Sequence, residues 1–257
     1  MNIFDAAILG IIEGLTEFLP VSSTGHLILA NSLLRLPDSA FLKSFDIVIQ
    51  SGAILAVVVL YWRSFLNIEI LKRLIVGFIP TGIVGLLFYS VIKTYLLESE
   101  GVVIASLALG GIALIVFEYL HRESEEATDD VGKITYKQAL GIGAFQSIAV
   151  IPGVSRSAAT IVGGLLLGLR RATIVEYSFL LAVPTMAAAT GLDLLKNYSS
   201  FSSANTAVLA VGFITAFVVA LGVIRLFLRY IRTRTFIPFG VYRVAIAAIF
   251  FFVVFYR

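Results

Sequence analysis

The chain has 257 residues, of which 59% are hydrophobic and 14% charged, and its mean hydropathy of +1.00 excludes an ordinary soluble domain. The net charge of +3 does not predict a nucleic-acid partner, because the basic residues lie at the ends of apolar runs and not along one solvated face. The absence of cysteine excludes disulfides, a thiol nucleophile and a cysteine-bound metal.

The first polar element is the run 13–26, which lies between apolar stretches. Glu13 and Glu17 are four residues apart, so a helix places both carboxylates on one face. Like charges this close favour a shared proton or a bound cation, and we predict that both residues ligate a metal. The alternative is neutralisation by protonation or by a structural arginine. Because an ionisable group at membrane depth costs about 2.5 kcal/mol or more, its presence indicates a function.

Pro20 interrupts this run, and three hydroxyl residues follow it: Ser22, Ser23 and Thr24. Gly25 permits a tight turn, and the spacing from Ser23 to His26 allows a contact between hydroxyl and imidazole. A serine beside a base is the general pattern of a covalent nucleophile, so Ser23 and His26 are predicted to be catalytic. The alternative is that the hydroxyls bond the backbone and that His26 is a packing residue.

Five apolar runs approach the ~20 residues that a membrane-spanning helix needs: 47–61, 74–91, 102–120, 207–224 and 241–256. Alternating barrel strands are not seen, so the prediction is an all-α integral membrane protein with about six full spans. The charged stretch 121–137 is predicted to be a solvated connector. Arg243 lies inside the last run, where its expected partner is Asp46, Glu176 or a backbone carbonyl.

The second polar run, 152–160, indicates an anion site. Its Pro-Gly break frees backbone N–H groups at the start of a helix, and the helix dipole and an arginine fork there favour a phosphate. The predicted substrate contacts are Gly153, Ser155, Arg156, Ser157 and Thr160. The alternative, which can hold at the same time, is that Arg156 pairs with Glu17 or Glu13.

The two halves of the chain share a pattern. With Ser155 placed over Ser22, three further pairs fall in register: Gly10 with Gly143, Glu13 with Gln146, and Val21 with Val154. The triplet Gly77-Phe-Ile recurs as Gly212-Phe-Ile in the corresponding place. We therefore predict one membrane domain, 1–257, built from repeats at about 1–120 and 138–257.

In each repeat, one re-entrant helical hairpin and three spans give an odd number of crossings, so the second repeat is inverted. This topology places most Lys and Arg residues on one side of the membrane, as the positive-inside rule expects. Replacing each hairpin by two full crossings would leave every loop on the same side of the membrane, but the segments that contain the polar runs are too short for two crossings. Hairpins that meet at a pseudo-two-fold axis would bring Arg156 near Ser23 and His26.

Residues 13–26, Glu-Gly-Leu-Thr-Glu-Phe-Leu-Pro-Val-Ser-Ser-Thr-Gly-His, and 152–157, Pro-Gly-Val-Ser-Arg-Ser, resemble the undecaprenyl-diphosphate phosphatase family, the bacitracin-resistance membrane phosphatases. The resemblance implies hydrolysis of undecaprenyl diphosphate to undecaprenyl phosphate, the lipid carrier of cell-wall precursors. It also implies an interdigitated inverted repeat in the plasma membrane, a site open to the extracytoplasmic side, and a divalent cation, Mg²⁺ or Ca²⁺.

By motif position, the resemblance makes Glu13 and Glu17 the acidic pair, Ser23 and His26 catalytic, and Arg156 the diphosphate ligand. Ser22 and Thr24 are predicted to add substrate contacts. Either Ser23 attacks while His26 accepts its proton, or a carboxylate or His26 activates water. The expected partners are the isoprenoid diphosphate lipid and the bilayer, and the sequence also allows a homodimer. The alternative function is an inverted-repeat transporter or flippase for a lipid phosphate.

Overall fold

The structure is a computed structural model that describes residues 1–88, 99–197 and 206–255. Ten α-helices lie within these residues: α1 Ile3–Thr16, α2 Ser23–Leu33, α3 Ala40–Leu60, α4 Ile68–Leu87, α5 Glu100–Leu120, α6 Tyr136–Ser147, α7 Arg156–Leu166, α8 Arg171–Asn197, α9 Thr206–Ile231 and α10 Ile237–Phe255. In this part of the chain the only β contact is an isolated bridge between Thr128 and Leu169. The all-α prediction is confirmed.

Six of the helices are long and apolar enough to cross a membrane: α3, α4, α5, α8, α9 and α10. The predicted number of spans is therefore confirmed, and five of these helices overlap the five apolar runs. The run 74–91 extends into residues that lie outside the described ones, as does the end of 241–256. Helix α8 was not among those runs; its mean hydropathy of 1.4 is the lowest of the six.

Each half begins with two short helices and continues with three long ones. The short helices contain 14 and 11 residues in the first half and 12 and 11 in the second. At 1.5 Å per residue none reaches the ~30 Å thickness of a bilayer core. Both pairs also start alike, because capping boxes at Asn2 and Thr135 satisfy the first free N–H groups of α1 and α6.

The two halves interlock instead of packing as separate bodies. Helix α1 packs on α9 of the other half, and α6 packs in the same manner on α4. Glycines allow both contacts: a Cβ on Gly10 would lie 2.6 Å from the carbonyl oxygen of Gly212, and a Cβ on Gly143 would collide with that of Gly77. The sequence repeat aligns Gly10 with Gly143 and Gly212 with Gly77, so equivalent residues make equivalent contacts across the halves.

The connector 121–137 lies against the C-terminal end of α5 and the N-terminal end of α8. Glu118 of α5 accepts two hydrogen bonds from Arg171, at 2.7 and 2.9 Å, and Glu123 pairs with the same guanidinium. The backbone of Thr128 bonds Gly168 and Arg170 in the loop between α7 and α8. These contacts hold the connector to the second half.

Candidate active site

The site is built around two turns, each of which contains a serine with a positive φ angle. Ser22 has φ of 70° and Ser155 has φ of 75°, in the region that non-glycine residues rarely occupy. Each serine side chain caps the following helix, accepting a hydrogen bond from the N–H of Gly25 or Ala158. Such a conformation costs of order 1–3 kcal/mol and persists only where the surrounding structure enforces it.

The carboxylate of Glu17 joins the two turns. One of its oxygens, Oε2, accepts a hydrogen bond of 2.6 Å from Ser23 Oγ. The other oxygen, Oε1, accepts from the guanidinium of Arg156 at 3.0 Å. All three side chains are buried or nearly so. The predicted approach of Arg156 to Ser23 is therefore confirmed, and so is the alternative pairing of Arg156 with Glu17.

The hydrogen bonds of His26 differ from the expectation. Its Nδ1 lies 2.7 Å from the carbonyl oxygen of Ser22, and its Nε2 lies 2.8 Å from the hydroxyl of Tyr242. The structure describes no hydrogen bond between Ser23 and His26, whereas Ser23 donates to Glu17. The hydrogen bond that would pass the serine proton to His26 is therefore not formed. The imidazole instead turns back toward the carbonyl oxygen of Ser22, four residues earlier.

Glu13 is fully buried, and neither of its carboxylate oxygens has a hydrogen-bond partner. A buried carboxylate without partners is either protonated or beside a cation. The described residues contain no cluster of three or more His, Cys, Asp or Glu that could hold a metal. Two carboxylates nevertheless suit Mg²⁺, which is usually held by one or two of them together with water and substrate phosphate. The unpartnered oxygens of Glu13 fit such an ion, whereas both oxygens of Glu17 already accept hydrogen bonds, and a cation at this pair stays a prediction.

Two partners orient Arg156, and one of its donors remains free within the described part of the chain. Its NH1 donates to the carbonyl oxygen of Ser178 at 2.8 Å, NH2 binds Glu17, and Nε is buried without a partner. The hydroxyl of Ser178 bonds Thr160 at 2.7 Å, so this residue of α8 supports α7 at two points. Sequence reasoning missed Ser178, which has no motif around it.

Two of the remaining predicted substrate contacts, Ser157 and Thr160, have hydrogen-bond partners within the protein. Ser157 donates to the carbonyl oxygen of Phe18 at 2.8 Å, and Thr160 donates to the backbone of its own helix. Gly153 has φ of +90°, and a Cβ there would lie 2.7 Å from the carbonyl oxygen of Val103. Thr24 is half-buried, and no hydrogen bond of its hydroxyl is described. Contact of these residues with a substrate stays a prediction.

A family model for the bacitracin resistance protein BacA matches residues 6–249. The chain belongs to the BacA family. It is 54% identical to the undecaprenyl-diphosphatase of Persephonella marina over 251 residues, which are 97% of this chain and 98% of that protein. The undecaprenyl-diphosphatase of Wolinella succinogenes is 51% identical over 253 residues, 98% of each chain, and that of Aquifex aeolicus 49% over 251 residues, 97% and 98%.

Arg243 holds the two turns of this BacA-family protein in place. It is fully buried, and among the described residues no acidic side chain pairs with it. Its guanidinium instead donates to five backbone carbonyls, from Pro20, Ser106, Leu107, Gly153 and Val154. Of the partners expected from sequence, the backbone carbonyl is therefore correct, and one side chain of α10 ties both hairpin turns to α5.

The position equivalent to Glu13 in the second half of the BacA-family chain carries no acid. Gln146 is buried there and donates to the hydroxyls of Thr81 at 2.9 Å and Thr185 at 3.1 Å. An amide with hydroxyl partners cannot replace a carboxylate pair as a cation site. The two halves share a backbone, but only the first carries the acidic chemistry.

Proposed function

We propose that this chain hydrolyses undecaprenyl diphosphate to undecaprenyl phosphate and inorganic phosphate. The observation that carries the proposal is the Glu17 carboxylate, which contacts Ser23 with one oxygen and Arg156 with the other. This arrangement brings together a hydroxyl, a proton acceptor and an anion-binding guanidinium, as phosphoryl transfer requires. Relatives named undecaprenyl-diphosphatase that match nearly the whole chain give further support.

In the proposed reaction Ser23 Oγ attacks the terminal phosphorus. The Oγ–P bond forms, the bond from phosphorus to the bridging oxygen breaks, and undecaprenyl phosphate leaves with the bonding electrons. The serine proton passes to Glu17 Oε2, the atom to which Ser23 already donates. Water then cleaves the phosphoserine and releases phosphate. Arg156 neutralises developing charge, and its unpartnered Nε offers one more donor to the anion.

Glu13 and Glu17 would hold the divalent cation, Mg²⁺ or Ca²⁺, that such phosphatases are expected to use. A cation bound there supplies positive charge to the diphosphate oxygens. The support from this chain is the carboxylate of Glu13, whose two buried oxygens have no other partner. Its burial in the last turn of α1 fits a ligand site better than a packing role.

Two short helix pairs acting as re-entrant hairpins would place this site at membrane depth, open to the extracytoplasmic side of the plasma membrane. The lengths of α1, α2, α6 and α7 support this arrangement, because none can span a bilayer alone. A cysteine introduced at Asp38, in the α2–α3 loop, tests the side, since the chain has no cysteine of its own. We expect a membrane-impermeant maleimide to label this cysteine in intact cells. Absence of labelling would indicate the opposite orientation.

We expect purified protein in detergent to release phosphate from undecaprenyl diphosphate, and a chelator to stop the release. The cation should be needed because two adjacent carboxylates and a diphosphate repel one another. Phosphate is measured before and after EDTA, and again after excess Mg²⁺ or Ca²⁺ is added. Undecaprenyl phosphate as substrate is the control. No release by folded protein would overturn the proposed function, whereas release unaffected by chelator would overturn only the cation.

The attack by Ser23 predicts a phosphoserine intermediate. With substrate labelled in the terminal phosphate, acid quenching of an early time point should leave label on wild-type protein and none on Ser23→Ala. Activity of Ser23→Ala should fall by at least ~10³-fold, since residual positioning and charge cannot replace a nucleophile. A wild-type protein that turns over rapidly without acid-stable label, together with a Ser23→Ala variant that retains activity, would favour attack by water activated by a carboxylate.

A further inference from the structure

His26 and Tyr242 form a pair that the proposed chemistry does not yet use. The Tyr242 hydroxyl lies 2.8 Å from Nε2 of His26, and the two rings are nearly parallel, with 5° between their planes and centroids 5.4 Å apart. His26 is only 8% exposed, while Tyr242 is 42% exposed. The tyrosine therefore covers the outer nitrogen of a buried imidazole.

Both hydrogen bonds select the same form of His26. A carbonyl oxygen only accepts, so the contact of Nδ1 with Ser22 requires the proton on Nδ1. In the neutral ring Nε2 is then an acceptor, and the tyrosine hydroxyl donates to it. The remaining neutral tautomer, with the proton on Nε2, would lose the Ser22 contact.

The fold itself does not need this pair. In the second half, Ala159 takes the place that the repeat gives to His26, yet the turn at Ser155 has almost the same φ as the turn at Ser22. The backbone N–H of Ala159 bonds the carbonyl oxygen of Ser155, as that of His26 bonds Ser22. The turn therefore forms without an imidazole, and of the two equivalent positions only the one in the half that carries Ser23 and Glu17 has a histidine.

We propose that Tyr242 is a positioning residue for the phosphatase reaction, which acts through His26 by fixing the tautomer and the ring orientation of the imidazole. This inference rests on the proposed function, because it concerns the same site. Tyr242 comes from α10, next to Arg243, so one helix turn supports both the hairpin turns and the histidine.

Tyr242→Phe tests the inference, since it keeps the ring and removes only the hydroxyl. The expected result is a kcat about 3- to 10-fold lower with KM changed less than about twofold, the range that loss of one neutral hydrogen bond supports. The matched control is Tyr230→Phe, which removes a hydroxyl bonded to the carbonyl oxygen of Thr235, outside the site. Both variants should keep the melting temperature of wild type.

A spectroscopic readout separates positioning from a general structural effect. The chain has two histidines, so ¹⁵N labelling of histidine in a His121→Gln background leaves the single imidazole of His26. At mildly alkaline pH the wild-type background should show one neutral tautomer, with Nδ1 protonated. Adding Tyr242→Phe should shift both ring nitrogens toward a mixture of tautomers, and adding Tyr230→Phe should shift neither.

Unchanged ring nitrogen shifts in Tyr242→Phe would overturn the inference, and so would a wild-type kcat. Either result leaves the phosphatase proposal intact as long as wild-type protein releases phosphate. If wild-type protein releases none, the proposed function fails first, and the tautomer measurement still reports whether Tyr242 orients His26.

Discussion

Replacing Arg156 by methionine is expected to lower kcat/KM by about 10³-fold or more, a loss that matches those seen when an arginine that stabilises a transferring phosphoryl group is removed. The side chain binds Glu17 and the carbonyl oxygen of Ser178, and its Nε has no partner among the described residues. Arg156→Lys should also lose most activity, because an ammonium keeps the charge but not the fork that holds two partners at once. Phosphate release per folded molecule measures both effects.

The contribution of Arg156 to stability can be separated from its contribution to the reaction. Removing the arginine alone leaves Glu17 unpaired beside Glu13, so the melting temperature should fall; adding Glu17→Gln should restore much of it, without restoring activity. Arg171→Met is the matched control, because it breaks another partly buried arginine pair, with Glu118, away from the site. It should lower stability and leave the activity of folded molecules intact. Activity retained in Arg156→Met would contradict the assigned role.

Sequence alone predicted the polar residues that the structure brings together around Glu17. Glu17, Ser23 and Arg156 were found because polar groups in apolar surroundings need a reason, and the aligned serines predicted two equivalent turns, which Ser22 and Ser155 form. Sequence could not predict which acceptor Ser23 finds. A hydroxyl near a helix start can reach a histidine three residues on or a carboxylate six residues back, and the path of the turn decides between them.

Contacts made by α10 lay beyond any local pattern. Tyr242 meets His26 across 216 residues of sequence, and Arg243 meets carbonyls from both turns. Arg243 could be marked as a charge that needs a partner, but its partners are backbone atoms, which every residue carries. Helix α8 was not among the five apolar runs, although three spans in each repeat required a span there; it has the lowest mean hydropathy of the six spans, and half of it is buried in the protein.

The unequal halves bear on the alternative of a transporter or flippase. Alternating access moves one substrate site between two sides, and equivalent elements of both repeats usually share in it. Here the first half has Glu13, Glu17 and Ser23, and the second has Gln146 with threonine partners, and Arg156. Each half supplies a different chemical group to one site. That division favours a reaction at a fixed position over a site that is exchanged between the halves.

Replacing Arg243 by methionine is expected to remove both stability and activity. Five buried carbonyls would lose their shared donor, and each unsatisfied group costs about 1–3 kcal/mol, although the losses do not add fully. A total of about 3–5 kcal/mol would lower the melting temperature by roughly 10 °C, at the ~2–4 °C per kcal/mol of a chain this size. Thermal unfolding in detergent measures this change in melting temperature. Arg225→Met, at an exposed position of α9, is the control and should melt as wild type does.

A second variant keeps Arg243 but displaces its guanidinium. A Cβ on Gly110 would collide with the guanidinium, so Gly110→Ala should push the donors away from both turns, while Gly101→Ala in the same helix has room and should behave as wild type. Because the guanidinium is the link between α5, the turn at Pro20 and the turn at Gly153, displacing it should separate Ser23 from Arg156 and lower kcat even in molecules that remain folded. Full activity in folded Gly110→Ala would mean that Glu17 alone holds the two turns together. The ion pair between the hairpins would then be sufficient, and Arg243 would serve the stability of the bundle without setting the geometry of the site.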